Sequence, residues 1–233
     1  MIDFNDKRQV AKAIQYTNVN PNLTREGMLK HLETCMKYDF QAAMGAPCYI
    51  ELAKDVLKGT GIQVASTLNF PIANDTLPMK IAALKEMIKT GVDQFDFPPN
   101  PGLLLGGEEK AYFEEMKQIV EVAHASGVVV KAMLEFGYIT TPELKAKAAQ
   151  LACEAGIDWV KQSSGWGVGG CPADVEDVKI LKANIELPCR VKVSGKVNTL
   201  EKMKAMFEAG AELVGTSSGP AIVDGLVGDI NAY

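Results

Sequence analysis

Glu154-Ala155-Gly156-Ile157-Asp158-Trp159-Val160-Lys161-Gln162-Ser163-Ser164-Gly165 is answered 54 residues later by Glu208-Ala209-Gly210-Ala211-Glu212-Leu213-Val214-Gly215-Thr216-Ser217-Ser218-Gly219. Each copy reads as the last turn of a helix, a glycine that stops it, a short strand and a small polar turn. A shift of 54 residues spans two strand–helix units of about 27 residues each. Alternation of that kind builds a parallel sheet.

Outward from this pair the same punctuation recurs. Strands are expected at Val10–Thr17, Phe40–Ala46, Gln63–Phe70, Gln94–Pro98, Val128–Glu135, Trp159–Ser163, Arg190–Ser194 and Leu213–Ser217. Amphipathic helices are expected at Thr24–Lys37, Leu77–Lys89, Glu108–Ala125, Pro142–Ala155 and Leu200–Ala209. Thr141-Pro142 supplies an N-cap and a first-turn proline, and Gly59, Gly91, Gly127, Gly156 and Gly210 stand where helices should stop. Eight such units in 233 residues fit a (β/α)8 TIM barrel, whose usual length is about 250 residues. No linker or low-complexity segment divides the chain, so residues 1–233 read as a single domain. A doubly wound open sheet follows from the same pattern and stays as the alternative.

Composition narrows the function. A net charge of −5 without a basic cluster argues against nucleic acid as the main partner. No apolar run is long enough to span a membrane, and Met1–Asp6 lacks the regions of a signal peptide. The five cysteines contain no C-x-x-C pair, which points to reduced thiols and a cytoplasmic location. The two histidines, His31 and His124, fall in helical patterns as surface or packing residues, so neither histidine catalysis nor a metal site is expected.

Strand parity then places polar groups where a barrel is normally apolar. Side chains alternate along a strand, so the valine faces of Arg190–Ser194 and Trp159–Ser163 look outward to helices. Lys161 and Lys192 point inward. By the same parity Gln15, Thr17, Thr67, Asn69, Gln94, Asp96, Lys131, Met133 and Glu135 also face in. Inward charges persist only in a paired network. Structural ion pairs, or a slipped register, would explain any single lysine; the joint pattern near strand ends favours an active site.

An ordinary lysine, with a pKa of about 10.4, is free amine in only about one molecule in 2,500 at neutral pH. Bringing it to about 7 disfavours the ammonium by roughly 4.6 kcal/mol. A second ammonium at about 5 Å supplies on the order of 3 kcal/mol of that, and desolvation the rest. Lys161 is therefore the candidate nucleophile and Lys192 the neighbour that keeps it deprotonated. Asp96 handles protons, with Lys131, Glu135, Gln15, Thr17 and Asn69 as the supporting polar network. Such a constellation suits Schiff-base chemistry on a carbonyl.

The turns after strands six to eight carry anion signals: Ser163-Ser164-Gly165, Ser194-Gly195-Lys196 and Gly215-Thr216-Ser217-Ser218. Hydroxyls and backbone N–H groups at strand-to-helix turns hold phosphate, as they do near strands seven and eight of many barrels. Gly165-Trp166-Gly167-Val168-Gly169-Gly170 also fits the G-x-G-x-x-G dinucleotide pattern, but the nearest acidic partner, Glu186, precedes the next strand instead of ending it.

At these residues the chain resembles the deoxyribose-phosphate aldolase family. The likeness runs from about Thr17 to Gly219. It is strongest in Thr67-Leu68-Asn69-Phe70-Pro71, Lys131–Gly137, Trp159–Gly165, Gly169-Gly170 with Val175–Val178, Val191–Gly195 and Gly215–Gly219. The resemblance implies a class I aldolase barrel that reversibly cleaves 2-deoxy-D-ribose 5-phosphate to acetaldehyde and D-glyceraldehyde 3-phosphate, with neither metal nor organic cofactor. It matches Lys161 to the Schiff-base lysine, Lys192 to the lysine that tunes it and Asp96 to the proton-relay aspartate. A small sugar phosphate or aldehyde is then the expected partner, and a homo-oligomer is compatible with the reading. The chain departs from the family at Gln15-Tyr16-Thr17 (usually Asp-His-Thr), at Ala46 (commonly Asn), at Gly195-Lys196-Val197-Asn198 (a Gly-Gly-x-Arg-like turn) and at Phe97-Pro98-Pro99-Asn100. Three readings therefore stand: this aldolase, an aldolase of the same mechanism with another or non-phosphorylated substrate, and a non-catalytic barrel that binds phosphate esters.

Overall fold

The computed structural model describes residues 2–229. Among them, eight parallel strands form a ring in chain order: β1 (Ile14–Asn18), β2 (Ala42–Gly45), β3 (Gln63–Thr67), β4 (Gln94–Phe97), β5 (Val129–Met133), β6 (Trp159–Lys161), β7 (Arg190–Ser194) and β8 (Leu213–Thr216). Ile14 pairs with Val214 and Gln15 with Gly215, so β1 closes on β8. That pairing rules out the open sheet. Helices α1 (Lys7–Lys12), α2 (Arg25–Tyr38), α3 (Ile50–Val56), α4 (Leu77–Lys89), α5 (Pro101–Leu105), α6 (Glu109–His124), α7 (Pro142–Glu154), α8 (Val175–Ala183), α9 (Leu200–Glu208) and α10 (Gly219–Asp224) fill the connections.

The strand faces separate two cores. Phe95, Phe97, Val130, Val160, Val191, Val193 and Val214 are wholly buried in the large core between sheet and helices. Each such side chain contributes about 1.5–3 kcal/mol by leaving water. Inside the ring the apolar cluster is small: Ala42, Met44 and Ala65, with Val19 against them. Much of the rest of the interior is polar, with Met133 and Leu213 among the inward apolar residues.

Local chemistry sets the element ends. The Thr24 side chain accepts from Gly27 N at 3.1 Å and starts α2. The Thr141 side chain accepts from Leu144 N at 3.3 Å ahead of Pro142 and starts α7. Losing such a cap costs about 0.5–2 kcal/mol. The two glycines of the internal repeat stop α7 and α9 with left-handed backbones, Gly156 at φ 87° and Gly210 at φ 118°, where a Cβ is strained.

One expected strand is misplaced. Val10–Thr17 is not continuous: Asp6 caps a helix by accepting from Arg8 N and Gln9 N, α1 buries Val10 and Ala11, and β1 begins only at Ile14. Most other strands are shorter at their C-terminal ends than the apolar pattern implies; after β3 and β5 the chain turns into left-handed residues, Asn69 at φ 51° and Glu135 at φ 55°.

His31 is buried and stacks on Tyr16, ring centroids 4.5 Å apart; burial pushes its imidazole down to about 4. His124 pairs with Asp158 at 2.9 Å. Packing and surface are thus the places of the two histidines. No described helix is long and apolar enough to cross a membrane.

Candidate active site

The parallel register stacks the inward residues. Asp96 of β4 sits beside Lys131 of β5, Met133 of β5 beside Lys161 of β6, and Lys161 beside Lys192 of β7. The three lysines converge on one carboxylate. Asp96 Oδ2 lies 2.6 Å from Lys192 Nζ and 2.9 Å from Lys161 Nζ, and Asp96 Oδ1 lies 3.8 Å from Lys131 Nζ. All four side chains are at most 3% exposed. Thr17, Thr67 and Phe70 line the narrow pocket over this cluster, with Met44, Met133 and Gly215. At Gly215 a Cβ would lie 3.0 Å from Lys192 Cε, so a larger residue would press on that amine's side chain.

Three amines against one carboxylate decide the protonation states. Burial alone would raise Asp96, but Lys161, Lys192 and Lys131 together hold its carboxyl well below the usual range. Burial pushes Lys131 down to about 8, with Asp96 opposing and Lys161 assisting. Burial also drives Lys192 well below an ordinary lysine; Asp96 opposes, and the fields of Lys161 and Lys131 add to the fall. The interior is an environment that favours free amines.

Position distinguishes the lysines. Lys161 is the last residue of β6, at the strand end where barrel active sites are built. Lys131 and Lys192 are the third residues of their five-residue strands, with Lys192 in register beside Lys161. Lys192 Nζ donates to Gln15 Oε1 as well as to Asp96, and Lys131 Nζ donates to Gln94 Oε1. Thr17 Oγ1 donates back to Gln15 O at 3.0 Å.

Two residues of the expected network lie past the strand ends, in loops. Asn69 lies past the end of β3 and donates from Nδ2 to Asp75 at 2.5 Å, shaping its own loop. Glu135 lies past β5, where its carboxylate accepts from Ser164 N at 2.7 Å and Ser164 Oγ at 2.9 Å. It fastens the β6–α8 loop and lies within the field of Lys161. Burial pushes it up to about 7, against the Ser164 hydrogen bonds and the charge of Lys161. Parity fails for both because neither lies on a strand.

The anion-binding candidates gather at the same end, with much of their hydroxyl capacity used by the loops themselves. Ser163 Oγ accepts from Gly165 N at 2.9 Å, and Ser194 Oγ donates to Ser163 O at 2.8 Å. Thr216 Oγ1 donates to Val197 O at 2.7 Å and accepts from Ser218 N at 3.0 Å. Gly195 and Lys196 form a left-handed turn, φ 99° and 57°, with Lys196 exposed. Lys202, unmarked by any sequence signal, brings a second cation there: its Nζ donates to Asn198 Oδ1 at 2.8 Å and to Lys196 O at 3.2 Å. Ser217 is half-buried beside them, and Tyr233 lies outside the described residues.

The G-x-G-x-x-G match is a loop. No helix begins until Val175, and a Cβ at Gly170 would fall 2.0 Å from Trp166 N. These glycines let the loop fold on itself, so the strand–turn–helix that a dinucleotide needs is absent there.

The model of the DeoC/LacD family aldolases matches residues 27–225. The chain is 37% identical over 222 residues to deoxyribose-phosphate aldolase of Thermococcus kodakarensis, covering 94% of this chain and 98% of that one. It is 38% identical over 218 residues to the enzyme of that name from Thermococcus gammatolerans, covering 93% and 96%. Its fold matches the tetrameric deoxyribose phosphate aldolase of Aeropyrum pernix with a TM-score of 0.86 at 24% identity, over 94% of this chain and 92% of that one. An interior of three buried lysines on one aspartate, held in this barrel and matched along nearly its whole length, makes the chain a member of the DeoC/LacD aldolase family.

Proposed function

We propose that this aldolase cleaves 2-deoxy-D-ribose 5-phosphate reversibly to acetaldehyde and D-glyceraldehyde 3-phosphate through a Schiff base on Lys161. The observation that carries the reading is the shared oxygen: Lys161 and Lys192 both contact Asp96 Oδ2, at 2.9 and 2.6 Å, in a site closed to bulk water. Crowded amines over a single anion favour the free base at one of them.

The free Lys161 amine adds to C1 of the open-chain sugar, and loss of water leaves an iminium. The C2–C3 bond then breaks. Its electron pair moves to the iminium to give an enamine, while the C3 hydroxyl releases its proton and departs as the new aldehyde. Protonation at C2 and hydrolysis release acetaldehyde and restore the amine. Asp96 Oδ1, buried and without a hydrogen-bond partner in the protein, is an acceptor available to relay these protons through water. Lys192 holds the field that keeps Lys161 deprotonated, Lys131 completes the charge balance, and Ser163, Ser164, Gly165, Ser194, Gly195, Lys196, Gly215, Thr216, Ser217 and Ser218 form the phosphate end. Five free thiols support a reducing, cytoplasmic setting for this enzyme.

A second reading keeps the mechanism and changes the substrate. Lys196 and Lys202 cannot reproduce the bidentate fork of an arginine, which favours a weaker demand for phosphate.

Borohydride reduction in the presence of acetaldehyde tests the chemistry: a stable ethyl adduct mapped to Lys161 is expected, and an adduct elsewhere or none at all rejects the assignment. Cleavage of deoxyribose 5-phosphate beside unphosphorylated deoxyribose separates the two substrates.

A further inference from the structure

Beneath the lysines lies a run of buried glutamines that the proposed chemistry does not use. Lys192 Nζ donates to Asp96 and, as an ammonium, has only donors to offer, so Gln15 turns its Oε1 toward it. The Gln15 Nε2 therefore points away and donates to Gln94 Oε1 at 3.1 Å. The same Gln94 oxygen accepts from Lys131 Nζ. Gln94 Nε2 in turn donates to Gln63 Oε1 at 2.6 Å, which also accepts from Gln41 Nε2 at 2.8 Å. Gln15 and Gln94 are at most 1% exposed, while Gln63 reaches solvent at the lower opening of the barrel. Both buried amides aim an oxygen at a lysine and a nitrogen away from it. The direction of the whole chain is fixed by its top member.

We propose that Gln15, Gln94 and Gln63 form a one-way amide ladder that positions Lys192 and Lys131 beside Lys161 and excludes a second anion from the amine cluster. Its consequence for catalysis rests on the aldolase reading above. Each amide oxygen gives an amine an acceptor without adding net charge. Asp96 is the carboxylate that all three lysines contact, and Glu135 acts on Lys161 alone from the loop beyond β5. A full set of protons therefore leaves excess positive charge in a dry interior, and amines give protons up. A carboxylate on either upper rung would let the cluster hold another proton. The charged groups facing the ladder are Asp96, Lys131, Lys161 and Lys192 above, and Lys12, Asp158, Arg190 and Glu212 around the lower opening. Of the lower set, Asp158 acts on Lys131.

These are positioning residues, so the test reads the amines and not turnover alone. Lysine labelled with 13C at Cε is titrated by NMR in the intact protein, with the buried signals assigned through single Lys→Met variants. In Gln94→Glu the Lys131 midpoint should rise by about one pH unit or more, and in Gln15→Glu the Lys192 midpoint should do the same. Gln63→Glu, at the solvent-exposed rung, should move both by well under that. Gln94→Met keeps the size, adds no charge, and should lower kcat about 10-fold or more without raising either midpoint. The retro-aldol rate in Gln15→Glu and Gln94→Glu should fall at the acid end of the kcat/KM profile, where the added carboxylate also favours the protonated form of Lys161. Midpoints unmoved in both folded Glu variants would overturn the ladder. The two readings fail separately: if the midpoints shift but acetaldehyde and borohydride leave Lys161 unlabelled, the ladder stands and the aldolase assignment falls.

Discussion

Asp96→Asn removes the one carboxylate that three buried amines share while leaving shape and volume almost unchanged. At 2.6 and 2.9 Å, and with an effective dielectric near 20, each contact with Lys192 and Lys161 is an attraction of about 6 kcal/mol before desolvation is counted. Desolvation offsets much of that, and removing one partner of a buried pair typically costs about 3–5 kcal/mol. The sign of the pH dependence follows from the amines. Lys131 is lowered to about 8 and Lys192 is lowered too, so each contributes stability that is present above the ordinary lysine range and lost as pH falls through the folded value. Without Asp96 both values fall further, and the loss deepens as the solution becomes more acidic. Urea unfolding followed by circular dichroism should therefore show a deficit of about 3–5 kcal/mol at about pH 6 that shrinks above about pH 8. Retro-aldol activity should fall at every pH, because the proton relay is gone as well. A deficit under about 1 kcal/mol, or one that is the same at about pH 6 and about pH 9, would refute the idea that this carboxylate balances the cluster.

Lys161→Leu should abolish turnover and borohydride labelling with acetaldehyde while leaving the urea midpoint unchanged or higher, since it relieves like-charge crowding. Lys192→Leu should depress kcat severely and move the acid limb of kcat/KM to higher pH; wild-type rates in both variants would reject their roles. Glu135, raised from 4.5 to about 7, contributes stability that is full below its unfolded value and lost as pH rises through the folded one. Glu135→Gln should thus flatten the stability curve between about pH 4.5 and 7, a span worth up to roughly 3 kcal/mol, and a slope unchanged by the substitution would sink this. Lys80 is buried with its Nζ donating to Ala73 O at 2.6 Å and to Glu115 at 2.9 Å, and Glu115 also accepts from Asn100 N at 2.9 Å. Lys80→Met should cost about 3–5 kcal/mol and raise KM, because the pair fastens the loop carrying Phe70 to the loop after β4; an unaltered KM in the folded variant would show that the pair is only structural.

Parity along strands was enough to place Gln15, Thr17, Thr67, Gln94, Asp96, Lys131, Met133, Lys161 and Lys192 inside the ring, because a parallel register preserves the alternation from one strand to the next. Where the strand ends, that logic ends. Asn69 and Glu135 continue the alternation in sequence, yet both adopt left-handed backbones and turn to loop partners. Helix α1 was hidden for another reason: Val10-Ala11-Lys12-Ala13-Ile14 is a short, mostly apolar run that continues into the strand, and only the Asp6 cap marks its first part as helical. The serine and threonine turns were visible as small polar residues. Which of their hydroxyls would be engaged by neighbouring loops was not, since Ser194 to Ser163 and Thr216 to Val197 are contacts between units. The same holds for Lys202, whose role comes from a helix start folding back toward Asn198.

The division of the molecule into two cores explains why such an interior can be maintained. Apolar burial between strands and helices is extensive and contiguous, with Phe95, Val160 and Val193 fully out of water, so the main apolar driving force for folding lies outside the ring. Ala42, Met44 and Ala65 pack one side of that ring, leaving β4 to β7 and β1 free to carry charge. There the lysines are tolerated because each finds an acceptor or sheds a proton. The acceptors are one carboxylate and two amides, enough to hold the amines in position and too few to keep them all charged. Stability supplied outside the ring is what permits reactivity within it.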